Sequence, residues 1–181
     1  MTMTTVTKTK WGIDPVHSEI AFKVKHLMIT NVKGLFKDFN ASVYTSGDNF
    51  ITSDIEFSMN PASIDTGVAD RDAHLRSADF FDVENFNEIS FKGESLKKTD
   101  DGSYELFGDL TIKGISKKVK LDVEFGGVMK DPWGNEKAGY TINGKINRKD
   151  WGLNWNATLE AGGLLVSDDV KISCEIQLVK Q

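Results

Sequence analysis

An all-β fold, an antiparallel β-barrel of about eight strands with one main short helix, is what this sequence predicts. Three observations carry that expectation. Apolar residues recur at every second position through most of the chain, the three prolines fall between those runs, and only one stretch carries a helical pattern. A period of two sends successive side chains to opposite faces of a strand, so one face is dry and the other wet.

The runs follow one another in order. From Ser18 to His26 the even positions hold Ser18, Ile20, Phe22, Val24 and His26, and the odd ones hold Glu19, Ala21, Lys23 and Lys25. His17 is placed next to Ser18 on the same strand, so the two point apart and cannot form a nucleophile–base pair with each other. Alternation returns in Val32-Gly34-Phe36, in a shorter strand around Ala41 and Val43, and in Ile55-Phe57-Met59. It continues in Ile89-Phe91-Gly93, Tyr104-Leu106-Gly108-Leu110-Ile112 and Val119-Leu121-Val123-Phe125. Tyr140-Ile142-Gly144-Ile146 and Val170-Ile172-Cys174-Ile176-Leu178 complete eight or nine strands. Pro15, Pro61 and Pro132 lie outside strand interiors, where a missing N–H would break the ladder. Thr45-Ser46-Gly47-Asp48, Asp100-Asp101-Gly102 and Asp131-Pro132-Trp133-Gly134-Asn135 read as turns.

Two segments depart from the pattern. Asp65 to Ser77 fits a short helix over about 66–77, with Asp65 or Thr66 as its cap and Asp70/His74 and Asp72/Arg76 as i,i+4 pairs. Gly152 to Asp169, with Gly162-Gly163 inside it, is irregular. An open sheet of eight strands would leave one apolar face wet, so the sheet closes; an eight-stranded barrel either packs solid or holds one small ligand. Gly34, Gly93, Gly108 and Gly144 share the inward parity. Inward glycine makes room for a bend, for a neighbour's ring or for a ligand. The ligand alternative makes the four glycines the width of a cavity, which Gly108→Leu would narrow.

The 181 residues suit one domain, 10–181, after a flexible N-terminus at 1–9. The net charge of −5 argues against a duplex-DNA or anionic-membrane binder, although a local basic patch remains compatible with it. Cys174 is the lone cysteine, so no intramolecular disulfide or thiolate zinc cluster forms; it reads as a small core residue. The start lacks the apolar region and cleavage site of a secretory signal, which points to the cytoplasm; a mature periplasmic chain given a new initiating Met would look the same.

Catalytic chemistry is sparse. No GxSxG, HExxH, GxGxxG or P-loop pattern occurs. His26 reads as a hydrogen-bonded residue at the barrel rim. The Asp70, Arg71, Asp72, His74 and Arg76 constellation could tune a general base, but alternating charge on a short helix is ordinarily a solvated face. Arg148 continues the inward parity of Tyr140 to Ile146, so it needs an acid, carbonyls or an anionic ligand head.

His17-Ser18-x-Ile20-x-Phe22-x-Val24-x-His26 followed by Gly34-x-Phe36 resembles the opening of the YceI-like family. Asp70-Arg71-Asp72-x-His74-Leu75-Arg76-Ser77-x-Asp79-Phe80-Phe81-Asp82 is similar to its central helix signature, and Gly108-Asp109-Leu110-Thr111-Ile112-x-Gly114-Ile115-Ser116-Lys117-x-Val119 to its next hairpin. Asn147-Arg148-x-Asp150-Trp151-Gly152 and Leu164-Leu165-Val166-Ser167-Asp168-x-Val170 match the close, with Trp151 where Phe is commoner and Asn87 where Pro is frequent. The resemblance implies an extended lipocalin-like barrel that binds a long amphiphile, typically a polyisoprenoid, and a family in which dimers are frequent. No catalytic residue, metal or cofactor is implied, and no nucleic-acid partner or stable membrane insertion is expected. The expected ligand wall comprises Phe22, Val24, Phe36, Phe57, Phe91, Leu110, Leu121 and Ile142, with His26, Leu75 and Arg148 completing the set. Two other readings stay open: an enzyme acting on such a lipid through His74 with Asp70 or Asp72, and a barrel packed solid by its 11 Phe and 4 Trp side chains.

Overall fold

Residues 8–47, 49–157, 159 and 164–181 are described by a computed structural model of the chain. Its strands are β1 (Lys8–Ile13), β2 (Glu19–His26), β3 (Thr30–Phe36), β4 (Phe39–Ser46), β5 (Asn49–Met59) and β6 (Ile64–Asp65). After the helix α1 (Ala69–Arg76) come β7 (Ile89–Asp100), β8 (Ser103–Ile112), β9 (Ile115–Lys130), β10 (Glu136–Asn147) and β11 (Asp169–Lys180). All their pairings are antiparallel. The ring runs β1-β4-β5-β7-β8-β9-β10-β11 and closes between β11 and β1, giving a barrel of eight strands. From β11 a ribbon of β2, β3 and the two-residue β6 continues alongside.

β11 serves two partners along one edge. Lys171–Glu175 pair with β2, and Leu178–Lys180 pair with β1. Between them Pro15–His17 forms a 3₁₀ turn, capped by the Asp14 carboxylate accepting from Val16 N at 3.1 Å. The gap in the ladder is bridged at Gln177. Its carbonyl accepts from Asp14 N at 2.8 Å, and its N–H donates to Ser18 Oγ at 3.0 Å. His17 therefore belongs to a turn and not to the strand on which the sequence reading placed it.

β1 already includes Lys8 and Thr9, which pair with Ser46 and Thr45. Pro61 opens a second 3₁₀ turn and Pro132 lies in the β9–β10 turn, so all three prolines avoid ladder positions. The Asp131 turn closes on itself, with Asp131 Oδ1 accepting from Trp133 N and Asn135 N at 2.9 Å each. Asp48 and Gly162-Gly163 lie outside the described residues.

The helix differs from its expectation. It begins at Ala69, later than residue 66, and Val68 caps it without a side-chain hydrogen bond. Asp65 accepts instead from Gly67 N, and Thr66 is gripped by Asp72, whose Oδ1 accepts from Thr66 N at 2.9 Å and Oγ1 at 2.6 Å. The i,i+4 ion pairs do not form. His74 Nε2 meets Asp79 Oδ2 at 2.8 Å, and Arg76 donates to the carbonyls of Ala62 and Ile64 at 2.8 and 3.1 Å. Arg76 turns to these carbonyls because the carboxylate one turn before it, Asp72, is buried and already engaged by Thr66.

Apolar side chains from both the ring and the ribbon pack inside, around Ile20, Phe36, Ile64, Ile89, Phe91, Leu106, Val119, Leu121 and Trp151. A second cluster of Trp11, Val43, Phe50, Ala138 and Leu178 lies at the other end, joined by Phe125 and Tyr140. Trp11 is fully buried, and its indole N–H donates to Thr45 Oγ1 at 3.1 Å. Phe50 makes ring contacts with Trp11, Phe125 and Tyr140 at 5.1 to 5.7 Å.

Candidate functional site

Both clusters line a cavity of about 550 Å³, within the range of small-molecule sites. Val170, Ile172, Cys174, Ile176 and Leu178 of β11 line it in succession. At about 3.3 Å per residue and a strand tilt near 40°, that run covers ~20 Å of the barrel axis. The space is deep and narrow, walled almost entirely by aliphatic and aromatic side chains. A barrel packed solid is excluded.

The alternation explains the wall. On every strand of the ring except β1, inward positions supply lining residues, while charged neighbours such as Lys120, Lys171 and Asp122 stand outside. Phe22, Val24, Phe36, Phe57, Phe91, Leu110, Leu121 and Ile142 all face the cavity, as do His26, Leu75 and Arg148. The aromatic wall is braced by Phe36, which contacts Phe22 and Phe81 at 5.5 and 5.8 Å. Cys174 is buried there, and burial pushes its thiol up to about 11, so it stays a neutral wall residue.

Most polar lining groups lie on or just before α1 (Thr66, Asp70, Arg71 and His74) and at the end of β2 (Lys25 and His26), with Tyr140 and Arg148 on and just after β10. Arg71 is held by Thr66, donating to its Oγ1 and its carbonyl at 2.7 Å each. His74 lies edge-on to Phe80 and Trp155 at 5.2 and 4.6 Å. Its Nε2 is engaged by Asp79, while Asp72 is engaged by Thr66, so the proposed acid–base pairing of His74 with Asp70 or Asp72 is not assembled. His26 is half-buried and bridges to Val166 through its backbone; its ring makes no hydrogen bond among the described residues, contrary to expectation.

Arg148 is 3% exposed and opens a 3₁₀ turn directly after β10. Of the three partners the sequence left open, carbonyls take it. Nη1 donates to Leu153 O at 2.6 Å and Trp155 O at 2.8 Å, and Nε donates to Ser167 O at 2.9 Å. Asp168 Oδ1 stands 3.9 Å from Nη2, and neither atom has a hydrogen bond. Burial pulls the guanidinium pKa down from its ordinary value, with Asp168 opposing. The side chain clamps the irregular segment after β10 onto the barrel, and Leu153 and Trp155 of that segment line the cavity.

The four inward glycines do not widen the cavity. A Cβ on Gly34 would lie 2.2 Å from the Phe22 ring, on Gly93 2.9 Å from Ile55, on Gly108 2.5 Å from the Phe91 ring, and on Gly144 2.5 Å from Leu121. Each glycine is a socket for a neighbouring side chain, and none of the four lines the cavity. Gly108→Leu would also meet the Lys92 carbonyl, with the Cβ alone at 2.5 Å, so it would break the sheet instead of narrowing a passage. Sequence reasoning further missed Phe80, Phe81, Trp155, Leu165 and Val166, which reach the cavity from segments with no period.

Comparisons with known proteins agree with this architecture. The Burkholderia cenocepacia protein BcnA superposes with a TM-score of 0.79 at 19% identity, covering 91% of this chain and 98% of that one. The Campylobacter jejuni YCEI protein superposes with a TM-score of 0.72 at 33% identity over 88% and 91%. A domain from Saccharophagus degradans described as polyisoprenoid binding gives 0.66 at 13% identity over 94% and 98%. In sequence, a UPF0312 protein of Staphylococcus epidermidis is 39% identical over 93% of this chain and 96% of its own length. A family model described as the YceI-like domain matches residues 11–178, and the chain belongs to the YceI-like family.

Proposed function

We propose that this barrel binds one long-chain amphiphile, a polyisoprenoid or a similar lipid, as a carrier, store or buffer and without covalent chemistry. The observation that carries the reading is the deep apolar cavity running most of the length of an eight-stranded barrel. The Saccharophagus degradans domain, described as polyisoprenoid binding, shares the fold and lends it support. Phe22, Val24, Phe36, Phe57, Phe91, Leu110, Leu121 and Ile142 hold the chain in this reading, while His26, Leu75 and Arg148 lie along its path.

Energetics favour selection by length. Each buried CH₂ contributes about 0.8 kcal/mol, so a five-carbon prenyl unit is worth roughly 3–4 kcal/mol before losses. Affinities saturate near −18 to −21 kcal/mol, and ordering a flexible chain costs part of the gain. Beyond about five units the cavity's length, and not the sum of contacts, chooses the ligand.

Native mass spectrometry of gently purified protein is expected to show a retained lipid, and polyprenyl alcohols are expected to displace a fluorescent fatty probe. Ile142→Trp places an indole at the middle of the wall and is expected to weaken the longest alcohols first. Delipidated protein that takes up no probe, or a variant that loses short ligands before long ones, would overturn the reading.

A further inference from the structure

The hairpin between β2 and β3 is built against ordinary preference. Its tip is Leu27-Met28-Ile29, exposed by 39, 53 and 79%. Leu27 and Met28 adopt left-handed backbone, with φ of 54° and 63°, where glycine or asparagine is the usual occupant. The tip sits beside polar cavity-lining groups. His26 before it lines the cavity, and Leu27 N donates to the carbonyl of Leu165, another lining residue, at 2.9 Å. Strained backbone and wet apolar side chains in one three-residue turn both cost stability, which marks the tip as a contact surface.

Beside it lies a row of lysines. Lys145 of β10 is opposite Lys171 of β11, Lys171 opposite Lys23 of β2, and Lys23 opposite Lys33 of β3. All four are exposed, and like charges directly across strands repel. The outer two find acids, Lys145 with Asp169 at 3.5 Å and Lys33 with Glu19 at 3.4 Å. Lys23 and Lys171 have no ion pair among the described residues, nor has Lys25, nearer the tip. Four positions further from the tip the same face turns acidic, with Glu19 opposite Glu175 and Glu124 beyond Thr141. The overall charge of −5 conceals this polarity.

We infer that the Leu27–Ile29 tip and the lysine row dock this end of the barrel onto an anionic lipid bilayer. An apolar wedge next to unpaired lysines is the chemistry of interfacial binding, and a negative surface supplies many anions to a row that has none of its own at its centre. A second copy meeting the tip about a two-fold axis would bring the lysine row towards itself. The inference builds on the lipid-binding reading, since docking would present the cavity to its source of ligand.

Flotation with vesicles of phosphatidylcholine alone, and of phosphatidylcholine with phosphatidylglycerol at about 7:3, tests it. The protein is expected to float with the anionic vesicles only, and to be released in about 0.5 M salt. Each lysine near the surface is worth ~5-fold, so Lys23→Gln/Lys171→Gln is expected to weaken binding ~25-fold. Met28→Ser/Ile29→Ser should reduce it as well. Fatty-probe uptake, measured in parallel without vesicles, should be unchanged in both variants because none of these side chains lines the cavity. No flotation, equal flotation with neutral vesicles, or no effect of either variant would overturn docking, while intact probe uptake would leave lipid binding standing. A concentration-dependent dimer abolished by Met28→Ser/Ile29→Ser, with no flotation, would overturn it and assign the tip to a second copy.

Discussion

Replacing Arg148 with alanine removes three hydrogen bonds to carbonyls at once, those of Leu153, Trp155 and Ser167. A hydrogen bond from a charged donor contributes about 1.5–3 kcal/mol net, which sets the scale of the loss. Against it stands the cost of burying a guanidinium whose nearest carboxylate oxygen is 3.9 Å away, a cost that truncation removes. The balance is a loss of about 3 kcal/mol, or a fall in Tm of ~6–12 °C for a domain of this size. Urea unfolding of ligand-free protein measures it directly, and hydrogen exchange should show faster opening around residues 153–155. Arg148→Lys keeps the charge but not the fork, so it should recover only part of the loss. A loss below about 1 kcal/mol in the ligand-free protein, with probe binding abolished, would refute the clamp and make Arg148 an anchor for the ligand.

Glycine substitutions should split by what lies above them. Gly108→Ala drives a Cβ to 2.5 Å from the Lys92 carbonyl, which cannot swing aside, and should cost about 2 kcal/mol or more in urea unfolding. Gly139→Ala meets nothing within 4 Å, so it should be neutral or stabilise by up to about 1 kcal/mol; equal effects at the two positions would discredit the socket description. Asp14 contributes to acid stability. Burial pushes its carboxyl up, but hydrogen bonds from His17, Lys137 and Val16 N outweigh this and hold it at about 2. Because the folded value lies below the unfolded one, its stabilisation is present above about pH 4 and is lost as pH falls towards 2. Discounted for its exposed partner His17, it is worth about 1 kcal/mol, and Asp14→Asn should lose that at pH 7 and flatten the acid limb of the stability curve.

The long alternating runs of β2 and β7 to β11 were legible because water on one side and the cavity on the other impose a period of two. β1 was not, since Lys8-Thr9-Lys10-Trp11-Gly12-Ile13 offers only two large apolar residues, and its burial depends on Phe50 and Leu178 from distant strands. The expected wall residues all line the cavity because parity sets direction. Parity does not reveal what sits above a residue, so the glycines pointed inward as expected while the rings covering them went unread. The helix start failed for a related reason: Asp72 reached back to Thr66, a tertiary choice that local capping preference does not contain.

Those covered glycines solve a problem that alternation leaves open. Shifting one strand against its neighbour by a single residue exposes its apolar face, and the hydrophobic pattern forbids it. A shift of two residues restores every face and passes unnoticed. In the native alignment Phe22 lies opposite Gly34, flanked by pairs that place Val32 and Phe36 on the same strand. Sliding by two in either direction would bring the Phe22 ring over Val32 or Phe36, where a side chain already occupies the space that Gly34 leaves empty. Phe91 over Gly108 and Leu121 over Gly144 repeat the device on other strands. The barrel is thus keyed like a ratchet, by steric pegs and notches that distinguish the correct alignment from the mismatches hydrophobicity cannot see.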